Sequence, residues 1–274
     1  MKMKVCMYTT KGCSMKRFCK KFKFTHKYIE MCLCECINKR WRRKDVAHFL
    51  AEYAIKHKLT SNNIYDVAEN IHDYILTDSN SRKLIKKYLL PMIAKDLLKE
   101  INTDQIKLRK IHYQERVDQA SSKTRRIGIA SIKQQVYDYI IINAIKPMLN
   151  AKIGAYQCAS IKGRGQIYGK RTIERWIRKD QFATKYYCKE DIYHYYPSIP
   201  HDKLKKLLRR DIKNDAIIRV LYRLIDTYDE GLCIGSYLCQ YLANYYLSYA
   251  WHYIDNNCYT YRRGKRINYV SKKL

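Results

Sequence analysis

Glycine and proline are spread so unevenly along this chain that they divide it before any other feature is considered. Ahead of Gly128 there is one glycine, Gly12, and one proline, Pro91; the other eight glycines and three prolines lie from Gly128 onward. These residues punctuate secondary structure, so a stretch nearly free of them is expected to be mostly helical. The spacing of apolar residues agrees. Val46, Phe49, Leu50, Tyr53 and Ala54 recur at helical intervals, as do Ile64, Val67, Ala68 and Ile71, with Asn62 or Asn63 available as the cap. Ile85, Tyr88, Leu89, Ile93 and Leu97 form a third stripe, which Pro91 should kink or split. The stripes are expected to be the core faces of a small helical bundle.

From about Ile106 the pattern changes. Ile111–Arg116 and Arg126–Ile129 have the look of short strands around a polar turn, Gln119 to Thr124. A helix is expected over Ile132 to Leu149, with Val136, Tyr139, Ile140 and Ala144 on one face and Pro147 near its end. Tyr186–Ile192 has strand propensity. His201 to Tyr228 should form one or two helices, with Leu204, Leu207, Leu208 and Ile212 inward. Leu238, Leu242, Tyr245, Tyr246, Tyr249 and Tyr253 mark a final helix, and the fold class is α+β. No internal repeat or low-complexity tract appears.

A chain of 274 residues holds one large domain or two small ones, and 47% hydrophobic with 29% charged residues belongs to a folded, soluble protein. Lys+Arg 55 against Asp+Glu 25 leaves +30, a surplus that calls for a polyanion, and nucleic acid is the expected partner. Codon bias would inflate lysine; it would not place the arginines of Lys39–Lys44 or Arg125-Arg126. Of eleven cysteines no two have C-x-x-C spacing. A helix would put Cys32 and Cys36 on one face, where Cys13 or Cys19 would have to complete any metal site; buried free thiols in a reducing cytoplasm are the expectation. No apolar run is long enough to span a membrane, and Met1–Cys6 lacks a signal-peptide layout, so a cytoplasmic location is expected.

Chemistry centres on Asp191. A carboxylate at a strand end is held rigidly with its side chain free, and the carbonyl of Ile192 can add an oxygen ligand. Alone, Lys189-Glu190-Asp191 would be a solvated charge run. Five ordered words surround it: Lys123-x-Arg125-Arg126-Ile127; Lys133–Tyr139; Gly154-Ala155-Tyr156-Gln157 on to Ser160-Ile161-Lys162-Gly163-Arg164-Gly165-Gln166; Asp191-Ile192-x-x-x-Tyr196-Pro197-Ser198-Ile199; and Gly231-Leu232-x-Ile234-Gly235-x-x-x-Cys239-Gln240-x-x-Ala243-Asn244-x-Tyr246-Leu247.

In that order the words resemble the finger and palm motifs of bacterial and phage reverse transcriptases, over about Tyr113 to Tyr253. The resemblance implies a helical N-terminal extension over 1–105, fingers over 106–180 and a partial palm over 181–274, with the thumb absent. It implies an RNA-directed DNA polymerase working on an RNA template with a DNA or RNA primer, deoxynucleotides and two Mg²⁺ ions. Asp191 is similar to the first metal-binding aspartate, with the Ile192 carbonyl beside it. Tyr196 resembles the residue beneath the sugar that excludes a 2′-OH. Gly235 and Gln240 resemble the motif that meets the incoming nucleotide, and Lys123, Arg125 and Arg126 the cations that clamp its triphosphate. Lys162 and Arg164 resemble the loop that touches template.

The departures are as specific. Ile234 stands where many members have glutamine, and with Cys239 in a serine position the motif resembles the variant of diversity-generating elements and related phage enzymes. Glu190 stands where the family has a residue facing the core, which would bury a charge at a cost. The family's aromatic-x-Asp-Asp hairpin has no counterpart: the sequence contains no Asp-Asp pair, and no acidic residue follows Asp255. Tyr261–Val270 resembles the run-up to that hairpin. The expectation is an N-terminal fragment, inactive by itself, with a non-catalytic RNA-binding module or half of a split enzyme completed by a second chain as the alternatives.

Overall fold

Helix α1 (His26–Ile37) begins where the Thr25 side chain accepts the Tyr28 amide, and α2 (Lys44–Lys56) buries Val46, Phe49, Leu50, Tyr53 and Ala54, the whole of the first expected stripe. Asn63 caps α3 (Ile64–Thr77) by accepting the amides of Tyr65 and Asp66, so it rather than Asn62 is the cap. The computed structural model describes residues 18–268 except 120, 121, 160, 183, 258, 263 and 264. Expectations that fall on Gly12, Cys13, Ser160 and residues 269–270 lie outside the described residues.

Pro91 acts as its chemistry requires. The third stripe is broken into α4 (Ser81–Leu84), a π-helical turn (Ile85–Leu89) and α5 (Leu90–Asn102) with Pro91 in its first turn. Pro91 has no N–H to donate, and just before it the Leu90 amide reaches back to the Ile85 carbonyl, the wider π spacing. The widened turn shifts the helical phase. Ile85, Leu89, Ile93 and Leu97 stay buried, but Tyr88, expected inward, is 58% exposed.

Strands β1 (His112–Asp118) and β2 (Lys123–Ile129) form an antiparallel hairpin with Arg116 opposite Arg125 and Glu115 opposite Arg126. It leads into α6 (Ile132–Lys152), where one buried face was expected. Instead Val136, Tyr137, Ile140, Ile141, Ala144, Ile145 and Met148 are all buried, because α1, α2, α9 and α10 each pack on this helix. A helix apolar nearly all round belongs at the centre of a core. Each fully buried isoleucine there contributes roughly 1.5–3 kcal/mol. One continuous core runs from Ile29 through α6 to Tyr245. Cys32 and Cys36 lie within it on one face of α1, and burial pushes the Cys36 thiol up to about 12, so it packs as a small hydrophobe.

The remaining helices are α7 (Gln166–Lys179), α8 (His201–Asp211), α9 (Asp215–Ile225) and α10 (Tyr237–Asn257). The buried Asp211 carboxylate ties α8 to α10 and α6: it accepts from Tyr245 of α10 and meets the Lys152 ammonium at the end of α6, 3.0 Å away. Strands β3 (Tyr259–Arg262) and β4 (Lys265–Asn268) pair with each other. The overall class is mixed helix and antiparallel sheet.

One expectation fails here. Tyr186–Ile192 is not a strand but irregular chain, with Tyr187 91% exposed. Strand propensity describes fit to a pleated surface and does not create one. Among the described residues no strand supplies a ladder, since β3 and β4 pair only with one another. Glu190 is exposed in that segment, so the expected cost of a buried charge does not arise.

Candidate functional site

The turn Gly231–Gly235 and the first turn of α10 form a hub on which the other motif segments dock. Two left-handed glycines shape it, Gly231 with φ +50° and Gly235 with φ +109°. At Gly231 an added Cβ would lie 2.3 Å from the Pro197 carbonyl oxygen and 2.5 Å from that of Tyr196. The contact is close because the Leu232 amide donates to the Tyr196 carbonyl at 2.9 Å. At Gly235 a Cβ would meet the Gly128 oxygen at 2.8 Å. Here the Gly128 amide donates to the Ile234 carbonyl at 2.8 Å, joining β2 to the turn through a parallel bridge between Ile127 and Ile234. Only glycine combines that backbone angle with so near a neighbour.

Further along α10 the pattern repeats. Tyr195 donates its hydroxyl to the Ala243 carbonyl at 2.7 Å. The Gln157 side chain accepts the Gly154 amide and donates to the Asn244 carbonyl, while Asn244 donates to the Ala159 carbonyl at 2.9 Å. From α6, Tyr139 stacks on Tyr237 with ring centres 4.5 Å apart, and Gln134 donates to Thr227 at 2.7 Å. Segments as far apart as Ile127, Tyr139, Gln157 and Tyr196 therefore converge on residues 227–244.

Beneath the turn lies a fully buried carboxylate. Asp138 Oδ2 accepts from Ser236 Oγ at 3.2 Å, and Ser236 Oγ in turn accepts the Cys239 amide in the first turn of α10. Burial pushes the Asp138 carboxyl up to about 7, against the pull of hydrogen bonds from Ser236 and the Leu238 amide. Its Oδ1 has no hydrogen-bond partner. The Tyr228 hydroxyl lies 3.1 Å from Ser236, and the sulfurs of Cys233 and Cys239 are 3.8 Å apart beside it.

The residues singled out from sequence are only partly gathered. Gly235 is exposed at the hub, Gln240 half-buried on α10, and Tyr196 half-buried with burial raising its phenol. Lys123 and Arg125 share one face of β2, where Arg125 pairs with Asp118 at 2.9 Å. Arg126 points to the opposite face, because successive strand residues alternate. There it lies over the Tyr113 ring, 3.8 Å from its centre, and pairs with Asp229 at 2.9 Å. The three cations thus do not form one clamp. Lys162 is exposed, but the Arg164 guanidinium donates to the Gly154 carbonyl at 2.8 Å, closing its own loop. Asp191 and Ile192 are exposed on the segment that lacks a sheet.

No protein-family model and no curated protein matches this chain. What the site can do rests on its geometry. Among the described residues no group of three or more His, Cys, Asp or Glu side chains is placed to hold a metal ion. One exposed aspartate and one carbonyl do not offset two dications at close range, so the residues present do not fit a two-magnesium centre. Among the described residues no helix is long and apolar enough to cross a membrane.

Sequence reasoning assigned no role to Asp138, Tyr113, Asp229 or the Cys233–Cys239 pair. Tyr113 was within reach: the hairpin register places it diagonally across from Arg126, a recognisable cross-strand pair. Asp229 and Asp138 carry no local signal, because their partners are about a hundred residues away.

Proposed function

We propose that this chain is the fingers and part of the palm of a reverse-transcriptase-type polymerase, binding an RNA template–primer and deoxynucleotide. The observation that carries the reading is the convergence of the four upstream motif segments on Gly231–Asn244. The words are spread over more than a hundred residues, and each meets the stretch from the glycine turn to the middle of α10. The chemistry then needs carboxylates besides Asp191, and an aromatic-x-Asp-Asp hairpin, either continuous with Leu274 or carried by a second polypeptide, is the proposed complement.

The test is to add that polypeptide, an aromatic-x-Asp-Asp hairpin with a thumb, fused or in trans. Alone, the chain is expected to give no primer extension. Complemented, it should extend a primer on RNA, and Asp191→Asn should then lower the rate about a thousandfold, the scale of several kcal/mol of charge stabilisation. Tyr196→Ala should raise ribonucleotide use. Full activity in Asp191→Asn would reject the assignment; unchanged sugar choice in Tyr196→Ala would move the gate to another residue.

The exposure of Asp191 favours a second reading, a non-catalytic RNA-binding module. Both readings require RNA binding driven by counterion release. Affinity for structured RNA is expected to fall at least about a thousandfold between 50 and 200 mM salt if about six phosphates are contacted. A flat filter-binding titration would exclude both readings, and RNA binding with no activity in any complemented form would leave the second.

A further inference from the structure

We infer that Cys233 and Cys239 form a peroxide-oxidisable dithiol whose disulfide would cinch the Gly231–Gly235 turn onto the first turn of α10. The sulfurs already lie 3.8 Å apart, with Gly235 and Ser236 between the two residues in sequence. A disulfide holds its sulfurs at about 2.05 Å, so closure needs a shift of under about 2 Å. Cys239 sits in a helix packed on α6 and does not yield easily. Cys233 sits in a turn with two left-handed glycines, anchored by the Gly128–Ile234 and Tyr196–Leu232 backbone bonds, by His201 on the Gly231 carbonyl and by the burial of Leu232, but not by helical hydrogen bonds. Movement therefore falls on the turn.

The two thiols are chemically unequal. The contact between the two sulfurs lowers the Cys233 pKa against the opposing effect of burial; the Ser236 backbone also lowers it. Cys239 is deeper, and burial raises it well above the ordinary thiol value. A nucleophile and a resolving partner are thus distinguished by position. Cys233 is buried and Gly235, two residues on, is exposed, so hydrogen peroxide, little larger than water, reaches the thiol only if the turn opens on that side.

The steps balance. The Cys233 thiolate attacks a peroxide oxygen, the O–O bond breaks, and sulfenic acid forms as hydroxide leaves and takes a proton to become water. The Cys239 sulfur then attacks the sulfenic sulfur, the S–S bond forms, the S–O bond breaks, and a second water departs with the Cys239 proton. Two thiols and one peroxide give one disulfide and two waters. Because the Ile127–Ile234 bridge and the exposed Gly235 belong to the same turn, closure would also lower deoxynucleotide affinity; this consequence alone rests on the proposed function.

The experiment uses the whole chain, reduced, treated with hydrogen peroxide, then denatured and alkylated with N-ethylmaleimide. Peptide mapping is expected to show a Cys233–Cys239 linked pair, two hydrogens lighter and restored by dithiothreitol, while Cys32, Cys36, Cys158 and Cys188 remain alkylated. In Cys239→Ser, dimedone should trap sulfenic acid at Cys233; in Cys233→Ser, Cys239 should stay a thiol. Complete alkylation of both cysteines in the peroxide-treated wild type would overturn the inference, as would trapping at Cys239 in Cys233→Ser. The wild-type arm needs no variant to fold. A link that forms without changing deoxynucleotide affinity supports the dithiol and counts against the nucleotide role of Gly235.

Discussion

Gly231→Ala is expected to destabilise the protein by about 3 kcal/mol. Two costs combine. A left-handed residue with a Cβ costs roughly 1–2 kcal/mol, and overpacking a closed site costs typically about 1–3 kcal/mol more. The second cost is unavoidable here because the Cβ would sit 2.3 and 2.5 Å from backbone oxygens of Pro197 and Tyr196, which cannot rotate aside as a side chain can. Gly163→Ala is the control. Its φ of +78° is also left-handed, but nothing lies within 4 Å of the added Cβ, so only the backbone cost of about 1 kcal/mol applies. Urea unfolding of the two variants separates sterics from conformation. If Gly231→Ala loses no more stability than Gly163→Ala, the packing of Tyr196–Pro197 against the turn is wrong.

Asp138 should make stability fall as pH rises from about 4 to about 7. The unfolded chain gives up this proton at the ordinary carboxylate value, about 4. The folded one holds it to about 7 because the carboxyl is buried with one oxygen unpartnered. Between those values the native state binds more protons, so the stability present below about 4 is lost as pH climbs through 7, and the loss levels off above it. Three pH units at 1.36 kcal/mol each set an upper scale of about 4 kcal/mol. Asp138→Asn keeps an acceptor for Ser236 and the Leu238 amide while removing the charge. The stability of the variant relative to wild type should therefore rise between pH 5 and pH 8. A difference independent of pH would show that Asp138 does not titrate in this interval.

Much of the helical framework was legible because its causes are local. The scarcity of glycine and proline before Gly128, the stripe from Val46 to Ala54, the cap at Asn63 and the break at Pro91 each depend on residues within a turn or two. The hairpin was legible for the same reason, although Lys123 and Thr124, expected in its turn, belong to β2 and pair with Asp118 and Val117. The candidate site was legible as words but not as an arrangement. Gly235 and Tyr196 could be singled out, yet nothing in the sequence shows that the Tyr196 carbonyl meets the Leu232 amide or that Asp138 lies under Ser236.

The failures share one physical origin. Tyr186–Ile192 has the residues of a strand, but a strand is completed by hydrogen bonds to another segment, and among the described residues none is paired with it. Arg125 and Arg126 are adjacent in sequence and opposite in direction, because pleating separates what the chain joins. Helix α6 is central rather than one-sided because four other helices reach it. Propensity, capping and the special backbone angles of glycine act over a few residues and are written in the local sequence. Burial, pairing and the proton affinity of a carboxyl depend on distant groups arriving at one place, and only the folded chain brings them there.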